Sequence, residues 1–401
     1  MLSTGVGFIT ALIALTPALA RHDNVTRQRY SIRMAESIMS RHQGILANST
    51  DRSALLQAGF VQKAFTQLIL QYPQDSSAAG VTAYITESVG SVVTTVSNAT
   101  RDITYPLDRL SSGNGLLDVY NSTGEAKYLN GAEALRSSIN LQPRNSDQSL
   151  WYYVYPHWGY LDGMYSFAPF LSAYSLSQSP VNTTALDDVL FQLSTLWLRC
   201  YHTGTGLLVH GYDASKTAVW ASNTTGASQH VWGRSLGWYV MALVDTYEML
   251  PSTPEYRSAQ TYLSQIFARL ASSLVQEPTR DARSGVWWQV LDEADGQGNY
   301  LESSGSSMFV YALLKGVRLG LLQDTKGTEY TNMARRAYKY LAATFVVDEG
   351  GRTLGWNGTV GVCSLNSTGT FEYYVGQPLV YNSVLGSAAF VLASLEVERL
   401  E

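Results

Sequence analysis

The segment SLWYYVYPHWGYLDGMYSFAPFLSAYSL, residues 149–176, contains both building blocks of the fold. It begins as a short strip of aromatic and β-branched residues. From residue 164 onward, apolar residues recur at three- and four-residue spacing, which predicts a helix with a buried face. Strips of the same kind stand between helical segments further along the chain, at 206–213 (GLLVHGYD), 285–292 (GVWWQVLD) and 359–364 (TVGVCS).

Helical periodicity dominates the chain after residue 27 and predicts eleven or twelve helices. The eleven periodic segments are 28–41, 54–71, 80–97, 124–139, 164–176, 185–201, 234–250, 256–275, 303–319, 328–346 and 378–398. Helix pairs joined by decorated loops, without the polar capping repeats of an open solenoid, favour a closed ring. The sequence therefore predicts an all-α (α/α)6 barrel, one domain over residues 21–401, with the strips gathered at one end as a cleft.

Composition excludes several classes of protein. The 401 residues include 27 Lys and Arg against 32 Asp and Glu, a net charge of −5, whereas 9 Trp, 26 Tyr and 11 Phe supply many aromatic rings. A nucleic-acid binder needs a basic surface that this chain lacks. A 45% hydrophobic content is enough to bury a large core and excludes intrinsic disorder.

The amino terminus indicates export. Residues 1–20 contain an apolar run, 6–19, that ends on small residues at Ala18 and Ala20 before Arg21, which predicts a secretory signal peptide. The run is too short for a membrane span, and no other stretch is long and apolar enough. We therefore expect a secreted, extracellular protein with neither a membrane nor a nucleic-acid partner, and we expect a monomer.

Potential glycosylation sites and cysteines fit this interpretation. Eight N-x-S/T sequons predict a glycoprotein; their asparagines are Asn24, Asn48, Asn98, Asn121, Asn182, Asn223, Asn357 and Asn366. The two cysteines, Cys200 and Cys363, are too few for a disulfide framework, and the sequence leaves open whether they form one bridge.

Two aspartates are the first candidates for catalysis. Asp162 lies among aromatic residues where a strip meets a helix, and such surroundings keep a carboxyl protonated; the alternative is that Asp162 only caps the helix. Asp108 stands about one helix pair earlier, ahead of an expected turn at 113–115, so both carboxyls can face one cavity. Asp108 has the same alternative role, as a cap or turn residue.

Three further residues are candidates for binding a ligand. Arg234 and Trp238 lie one helical turn apart, which suits a sugar acid whose carboxylate pairs with the guanidinium and whose ring stacks on the indole. The alternatives are that Arg234 pairs with an internal acid such as Asp213 and that Trp238 belongs to the core. His210, in GLLVHGYD, is either a site residue or a structural histidine.

Other chemistries lack their sequence signatures. The six histidines and two cysteines show no metal-ligand spacing, and neither a G-x-S-x-G elbow nor a phosphate-binding loop is present. We expect no metal and no cofactor. A carbohydrate-active enzyme is the most economical interpretation, and a non-catalytic carbohydrate-binding toroid is the alternative from another class.

Six ordered blocks over roughly residues 105–398 resemble glycoside hydrolase family 105, the unsaturated rhamnogalacturonyl hydrolases, in a secreted, fungal-type form. The first block, WGYLDGMYSFAPFLSAY, resembles the family motif W-x-D-G-L-Y-M-x-x-P-F. The others are GLLVHGYD, WGRSLGWYVMALVD, SGVWWQVLDEAD, YLESSGSSMFVYALLKGVRLG and GQPLVYNSVLGSAAFVLASLEV.

The resemblance implies an (α/α)6 fold and a hydrolase that acts on the 4,5-unsaturated galacturonyl residue at the non-reducing end of rhamnogalacturonan lyase products. It implies catalysis by hydration of the C4=C5 bond, with Asp162 as proton donor and Asp108 as the second acid. His210, Arg234 and Trp238 align with residues that hold the unsaturated uronate. The competing substrate is an unsaturated glucuronyl residue of other lyase products.

The chain departs from the family pattern in two places. Tyr160 replaces the tryptophan that precedes the catalytic aspartate by two residues; we expect Tyr160 and Trp158 to contact the sugar. A His/Lys pair common in the preceding strip is replaced by aromatic residues around Trp151, Tyr152 and Tyr153. The second departure lies where the leaving group binds, so the resemblance does not determine the exact substrate.

Overall fold

The computed structural model of the protein describes residues 29–46, 51, 53–276, 279–324 and 330–401. The predicted signal peptide and the sequons at Asn24 and Asn48 lie outside the described residues. Twelve long helices account for most of the described chain. They are α1 (Tyr30–Ser40), α2 (Ala54–Gln71), α3 (Ala78–Val93), α5 (Gly113–Thr123), α6 (Ala126–Leu141), α7 (Gly163–Leu176), α8 (Thr183–Cys200), α9 (Gly233–Met249), α10 (Arg257–Leu274), α11 (Ser303–Arg318), α12 (Tyr330–Thr344) and α14 (Val384–Glu398), with two short helices, α4 (Ala99–Asp102) and α13 (Phe371–Val375).

Burial sorts the long helices into two layers. In α9, 14 of 17 residues are buried, and in α14, 14 of 15, so these helices are enclosed on every side. In contrast, α10 buries 6 of 18 residues and α12 buries 4 of 15, which leaves each with one apolar stripe against the layer inside it. Inner and outer helices alternate along the chain.

The inner layer closes into a ring. The helices α7, α9, α11 and α14 pack in succession, α14 packs against α2, and α2 reaches α7 through a 3-10 helix at Leu107–Ser112. Each outer helix packs beside an inner one, and α1 closes the outer layer against α14. This arrangement is the (α/α)6 barrel that the sequence predicts.

The sequence prediction was wrong at one helix. Residues 113–115 were expected to form a turn, whereas they begin α5, the inner helix missing from the eleven periodic segments. A Cβ added at Gly113 would lie 2.2 Å from the Phe170 ring of α7, and one at Gly115 would lie 2.7 Å from the Gln62 side chain of α2. The glycines therefore allow close packing between inner helices, at a helix start that propensity alone disfavours.

The aromatic strips gather at one end of the barrel as short antiparallel pairs. Strand β1 (Trp158–Tyr160) pairs with β4 (Gly211–Asp213), so that Tyr160 lies opposite Gly211. The pairs β2 (Tyr201–His202) with β3 (Leu207–Leu208) and β5 (Val346–Asp348) with β6 (Leu354–Trp356) are equally short. Isolated bridges join Trp232 to Val290 and Val360 to Leu379.

Surface features are consistent with the sequence patterns. The asparagines of all six sequons within the described residues are exposed. None of the described helices combines the length and apolar character that a bilayer crossing requires. Cys200 and Cys363 are both buried and both are free thiols.

Candidate active site

A cavity of about 480 Å³ opens at the end of the barrel where the strips gather. Its wall comes from the strips and from the first turns of the inner helices. The lining residues include Asp108, Tyr152, Tyr153, Tyr155, Tyr160, Asp162, Trp232, Arg234, Trp238, Val362, Cys363 and Ser364. The structure thus brings both candidate acids and both halves of the predicted Arg–Trp pair into one cavity.

Asp162 occupies the position just before α7, but its side chain makes no capping hydrogen bond. Its Oδ2 instead accepts a 2.5 Å hydrogen bond from the Ser235 hydroxyl of α9 and lies 3.2 Å from His210 Nε2. Its Oδ1 has no hydrogen-bond partner among the described residues and belongs to a side chain that lines the cavity. The carboxyl is therefore held from behind and presents one oxygen to a ligand.

His210 is fully buried and supports Asp162 from β4's side of the cavity. Its Nδ1 lies 2.8 Å from the Tyr374 hydroxyl, which fixes the ring plane. The contact of Nε2 with Asp162 is short, yet its angle is too poor for a hydrogen bond, so Nε2 has no partner in the described structure. His210, predicted to bind the sugar, is not among the lining residues of the cavity and lies behind Asp162 in this structure.

Asp108 lies in the 3-10 helix before α5 and is almost fully buried. The Tyr152 hydroxyl donates a 2.7 Å hydrogen bond to Asp108 Oδ2, and Asp108 Oδ1 is buried without a partner. Burial and the nearby charge of Asp162 raise the pKa of Asp108 to about 7, against the opposing effects of Tyr152 and Arg109. Below a pH of about 7, the protonated form of Asp108 therefore predominates.

Tyrosines form one wall of the cavity. Tyr152 and Tyr160 stack with ring centroids 4.4 Å apart, and Tyr160 also approaches the His210 ring at 5.1 Å. Trp158, predicted to contact the sugar, is not among the lining residues; it packs against Tyr155 and Trp220 behind the wall. Its indole therefore supports the tyrosine wall in this structure.

Arg234 is buried at the start of α9 and points into the cavity. Its guanidinium donates hydrogen bonds of 2.6 Å to the carbonyl oxygens of Val360 and Gly361 and one of 3.3 Å to Ser304 Oγ. It does not pair with Asp213, whose carboxylate instead accepts hydrogen bonds from the loop that follows β4. Three of the five N–H donors are used, which leaves two for a bidentate ligand.

Trp238 is both a core residue and a residue of the cavity lining. It is almost fully buried, packs on Phe60 at 4.8 Å and Tyr165 at 4.6 Å, and also lines the cavity. The Trp238 ring thus forms the cavity floor, and the rings of Phe60 and Tyr165 support it from behind. Below the floor, Lys63 and Lys315 flank the buried carboxylate of Asp245 and, against the effect of burial, hold its pKa at about 2.

Sequence reasoning missed the residues that hold the acids in place. Ser235, Tyr152 and Tyr374 contact Asp162, Asp108 and His210, respectively. A signal existed for Ser235, which follows Arg234 directly at the start of an inner helix. No pattern points to Tyr374, which is 164 residues from His210 in the chain.

The family model described as Glycosyl Hydrolase Family 88 matches residues 30–401. The chain belongs to this family. Membership supports a glycosidase, and it agrees with the family-105 resemblance because a solved C. acetobutylicum glycoside hydrolase of family 105 is 34% identical to the chain. That comparison covers 93% of this chain and 100% of the other, with a TM-score of 0.79.

Two curated relatives are also similar to this family 88 chain. A protein of Agrobacterium fabrum is 35% identical over 218 residues, which cover 53% of this chain and 90% of that protein. An unsaturated 3S-rhamnoglycuronyl hydrolase of Formosa agariphila is 28% identical over 174 residues, which cover 42% of this chain and 39% of that protein.

The raised pKa of Asp108 predicts a pH-dependent stability cost. An unfolded aspartate ionises near pH 4, whereas folded Asp108 ionises at about 7, so the free energy of unfolding falls as pH rises between these values. The loss is at most about 4 kcal/mol, at roughly 1.4 kcal/mol per pH unit. We expect Asp108→Asn to melt at a higher temperature than wild type at pH 8 and at an equal temperature at pH 4.

The matched control for this measurement is Asp187→Asn, because Asp187 is exposed on α8. Its melting curves should follow wild type at both pH values. An Asp108→Asn protein that is no more stable than wild type at pH 8 would contradict the raised pKa.

Proposed function

We propose that the protein hydrolyses oligosaccharides that begin with a 4,5-unsaturated uronyl residue, specifically the unsaturated galacturonyl residue at the non-reducing end of rhamnogalacturonan lyase products. The observation that carries the proposal is the pair of carboxyls in one aromatic cavity, one facing the ligand space and one whose pKa is raised to about 7. The name of one relative, the unsaturated 3S-rhamnoglycuronyl hydrolase of Formosa agariphila, supports the same class of substrate.

The chemistry needs one mobile proton and one water. The C4=C5 bond of the substrate is an enol ether, so protonation at C4 leaves an oxocarbenium ion at C5 that is stabilised by the ring oxygen. Water adds at C5 and loses a proton, and the resulting hemiketal opens and expels the aglycone. A pair of carboxylates flanking the anomeric carbon, as in ordinary glycoside hydrolysis, is not required.

Asp162 is placed to perform both proton transfers. Because Asp108 keeps its proton up to a pH of about 7, the two carboxyls together retain one proton near neutrality. In the reacting state the shared proton stands on Asp162 and Asp108 is ionised; Asp162 gives this proton to C4 through Oδ1, which faces the cavity, and then takes one from the attacking water, which restores the pair. His210 Nε2 is buried 3.2 Å from Asp162 Oδ2, so the imidazole limits how the Asp162 carboxyl can turn.

Arg234 is the group we assign to the substrate carboxylate. The uronate lies in the plane of its double bond, and the two remaining N–H donors of Arg234 match such a planar acceptor. The indole of Trp232, 4.8 Å from the guanidinium carbon, stacks on the other side of the cation. This contact restricts how far the side chain can turn.

The leaving-group side favours an uncharged sugar. Among the described residues that line the cavity, Arg234 is the only cation, whereas Tyr152, Tyr153 and Tyr155 all contribute rings to the lining. A sulfated aglycone requires a second cation, whereas the methyl group and apolar face of rhamnose pack on tyrosine rings. This composition supports a rhamnogalacturonan fragment over a sulfated one.

The second candidate substrate carries an unsaturated glucuronyl residue, and it shares its first sugar with the favoured substrate. Galacturonic and glucuronic acids differ only in configuration at C4, and lyase elimination makes C4 planar. The unsaturated rings are therefore the same compound, so the enzyme distinguishes the substrates by the glycosidic linkage and the aglycone. We therefore expect the tyrosines of the wall, rather than the floor of the cavity, to determine which of the two substrates the enzyme prefers.

We also propose that the protein is secreted and glycosylated. The exposed asparagines of the six described sequons are compatible with attached glycans, and their Nδ2 atoms make no hydrogen bond within the described residues. Glycans would add the polar surface that a chain with 15% charged residues otherwise lacks.

Replacing the proton donor tests the proposed reaction. We expect Asp162→Asn to lower kcat for consumption of the substrate double bond, followed by ultraviolet absorbance, by about 10²–10⁴-fold, because the amide cannot deliver a proton. Substrate affinity, measured by calorimetry, should persist. Asp187→Asn should retain wild-type kcat, and a wild type that binds without turnover would instead establish a non-catalytic carbohydrate-binding protein.

Comparison of aglycones tests the substrate. With an unsaturated uronyl–rhamnose disaccharide and a sulfated unsaturated glycosaminoglycan disaccharide, we expect kcat/KM to favour the rhamnose substrate by at least about tenfold, a difference of roughly 1.4 kcal/mol in transition-state binding. Tyr153→Ala should reduce this preference. A preference for the sulfated disaccharide would assign the enzyme to the glucuronyl class.

A further inference from the structure

His230, Asp292 and Glu293 form a cluster outside the cavity, where the His230 ring packs against Tyr374. His230 Nδ1 lies 3.2 Å from Asp292 Oδ2 and 3.4 Å from Glu293 Oε1, and all three atoms lie within 4.8 Å of one another. One imidazole nitrogen and two carboxylate oxygens thus converge on a single point. The residues are 62 and 63 positions apart in the chain, so no sequence spacing reveals them.

The two separations from the imidazole nitrogen fit the coordination shell of a small divalent cation. With metal–ligand bonds of about 2.0–2.1 Å, two ligands of a tetrahedral site lie about 3.3 Å apart. The two distances from His230 Nδ1, 3.2 and 3.4 Å, bracket this value. A proton on His230 Nδ1 can form a hydrogen bond with only one of the two carboxylates. A metal ion bound to the same nitrogen can bind both carboxylates.

The surroundings hold the ligand atoms in position. Asp292 Oδ1 accepts a 2.7 Å hydrogen bond from the Val231 amide, which leaves Oδ2 directed at His230. His230 is about nine-tenths buried, and its ring packs edge-on against Phe371 and Tyr374. Such outer contacts orient metal ligands in known sites.

The local charge also favours a cation. Asp292, Glu293 and Glu372 all act electrostatically on His230. Glu293 is half-exposed, which leaves room for water as a further ligand and gives the ion a path from solvent. A site with one imidazole and two carboxylates suits Zn²⁺ better than Ca²⁺, because calcium prefers oxygen ligands alone.

We propose that His230, Asp292 and Glu293 bind a first-row divalent cation, with Zn²⁺ as the best fit, and that the ion joins the segment of Trp232 to the neighbouring strip. The segment 228–232 carries Trp232, which lines the cavity, and the strip 285–292 pairs with it through the Leu291 amide and the Val231 carbonyl. The ion would add a connection beside the hydrogen bonds that already join the two segments. The role is structural, because the cluster does not line the cavity.

The rival interpretation is an ion pair, in which a protonated His230 lies between the carboxylates. It makes a different prediction, since an imidazolium excludes the metal and zinc binding must displace its proton. The two interpretations therefore separate in a direct binding measurement on the whole protein.

Calorimetric titration of the EDTA-treated full chain with ZnCl₂ tests the proposal, with MgCl₂ as the comparison ion. We expect one equivalent of Zn²⁺ to bind per chain and to raise the melting temperature by at least about 2 °C at saturation. Mg²⁺ should produce neither effect at the same concentration. Absence of saturable, one-equivalent zinc binding would overturn the proposal and establish the ion pair.

Variants identify the binding atoms. Glu293→Gln changes a half-exposed residue and leaves the fold intact, and His230→Gln removes the nitrogen ligand; each should weaken zinc binding at least tenfold. The control is His202→Gln, because His202 lies in β2 and contacts Thr205 rather than an acid. Zinc binding that survives both cluster substitutions would place the ion elsewhere and refute the assignment.

Discussion

Two carboxyl groups in one aromatic cavity cannot both ionise at ordinary cost, and this constraint organises the site. Burial and the charge of Asp162 raise the pKa of Asp108 to about 7, so the pair keeps a proton where a solvent-exposed aspartate has lost its own. Each acid is held by its own contacts. Ser235 donates a hydrogen bond to Asp162 and His210 lies beside the same carboxyl, whereas Tyr152 donates a hydrogen bond to Asp108. A hydration reaction that needs one proton and one water fits this arrangement.

The barrel provides the rigidity that such a site requires. The acids, Arg234 and Trp238 lie at or near the first turns of inner helices that are buried on almost every side. The floor rests on packed aromatic rings, beneath which Asp245 binds two lysines in place of an apolar core. Short strips at the open end then supply the tyrosines of the cavity wall.

Much of the fold could be predicted from the sequence, because inner and outer helices both leave a strong apolar periodicity. The exception was α5, whose start at Gly113 looks like a turn until the close approach of Phe170 is known. The convergence of Asp108 and Asp162 was predictable from their positions one helix pair apart. The contacts of Arg234 with Val360 and of His210 with Tyr374 were not, since they join segments distant in the chain that no local pattern relates.

The central claim is that the enzyme adds water across a ring double bond, and isotope labelling tests it most directly. The reaction is run in D₂O on an unsaturated uronyl–rhamnose disaccharide and the uronate product is examined by NMR and mass spectrometry. The account predicts deuterium at C4 of the product and loss of the C4=C5 bond along with release of rhamnose. Release of an unsaturated uronate that retains the double bond and carries no deuterium at C4 would contradict it.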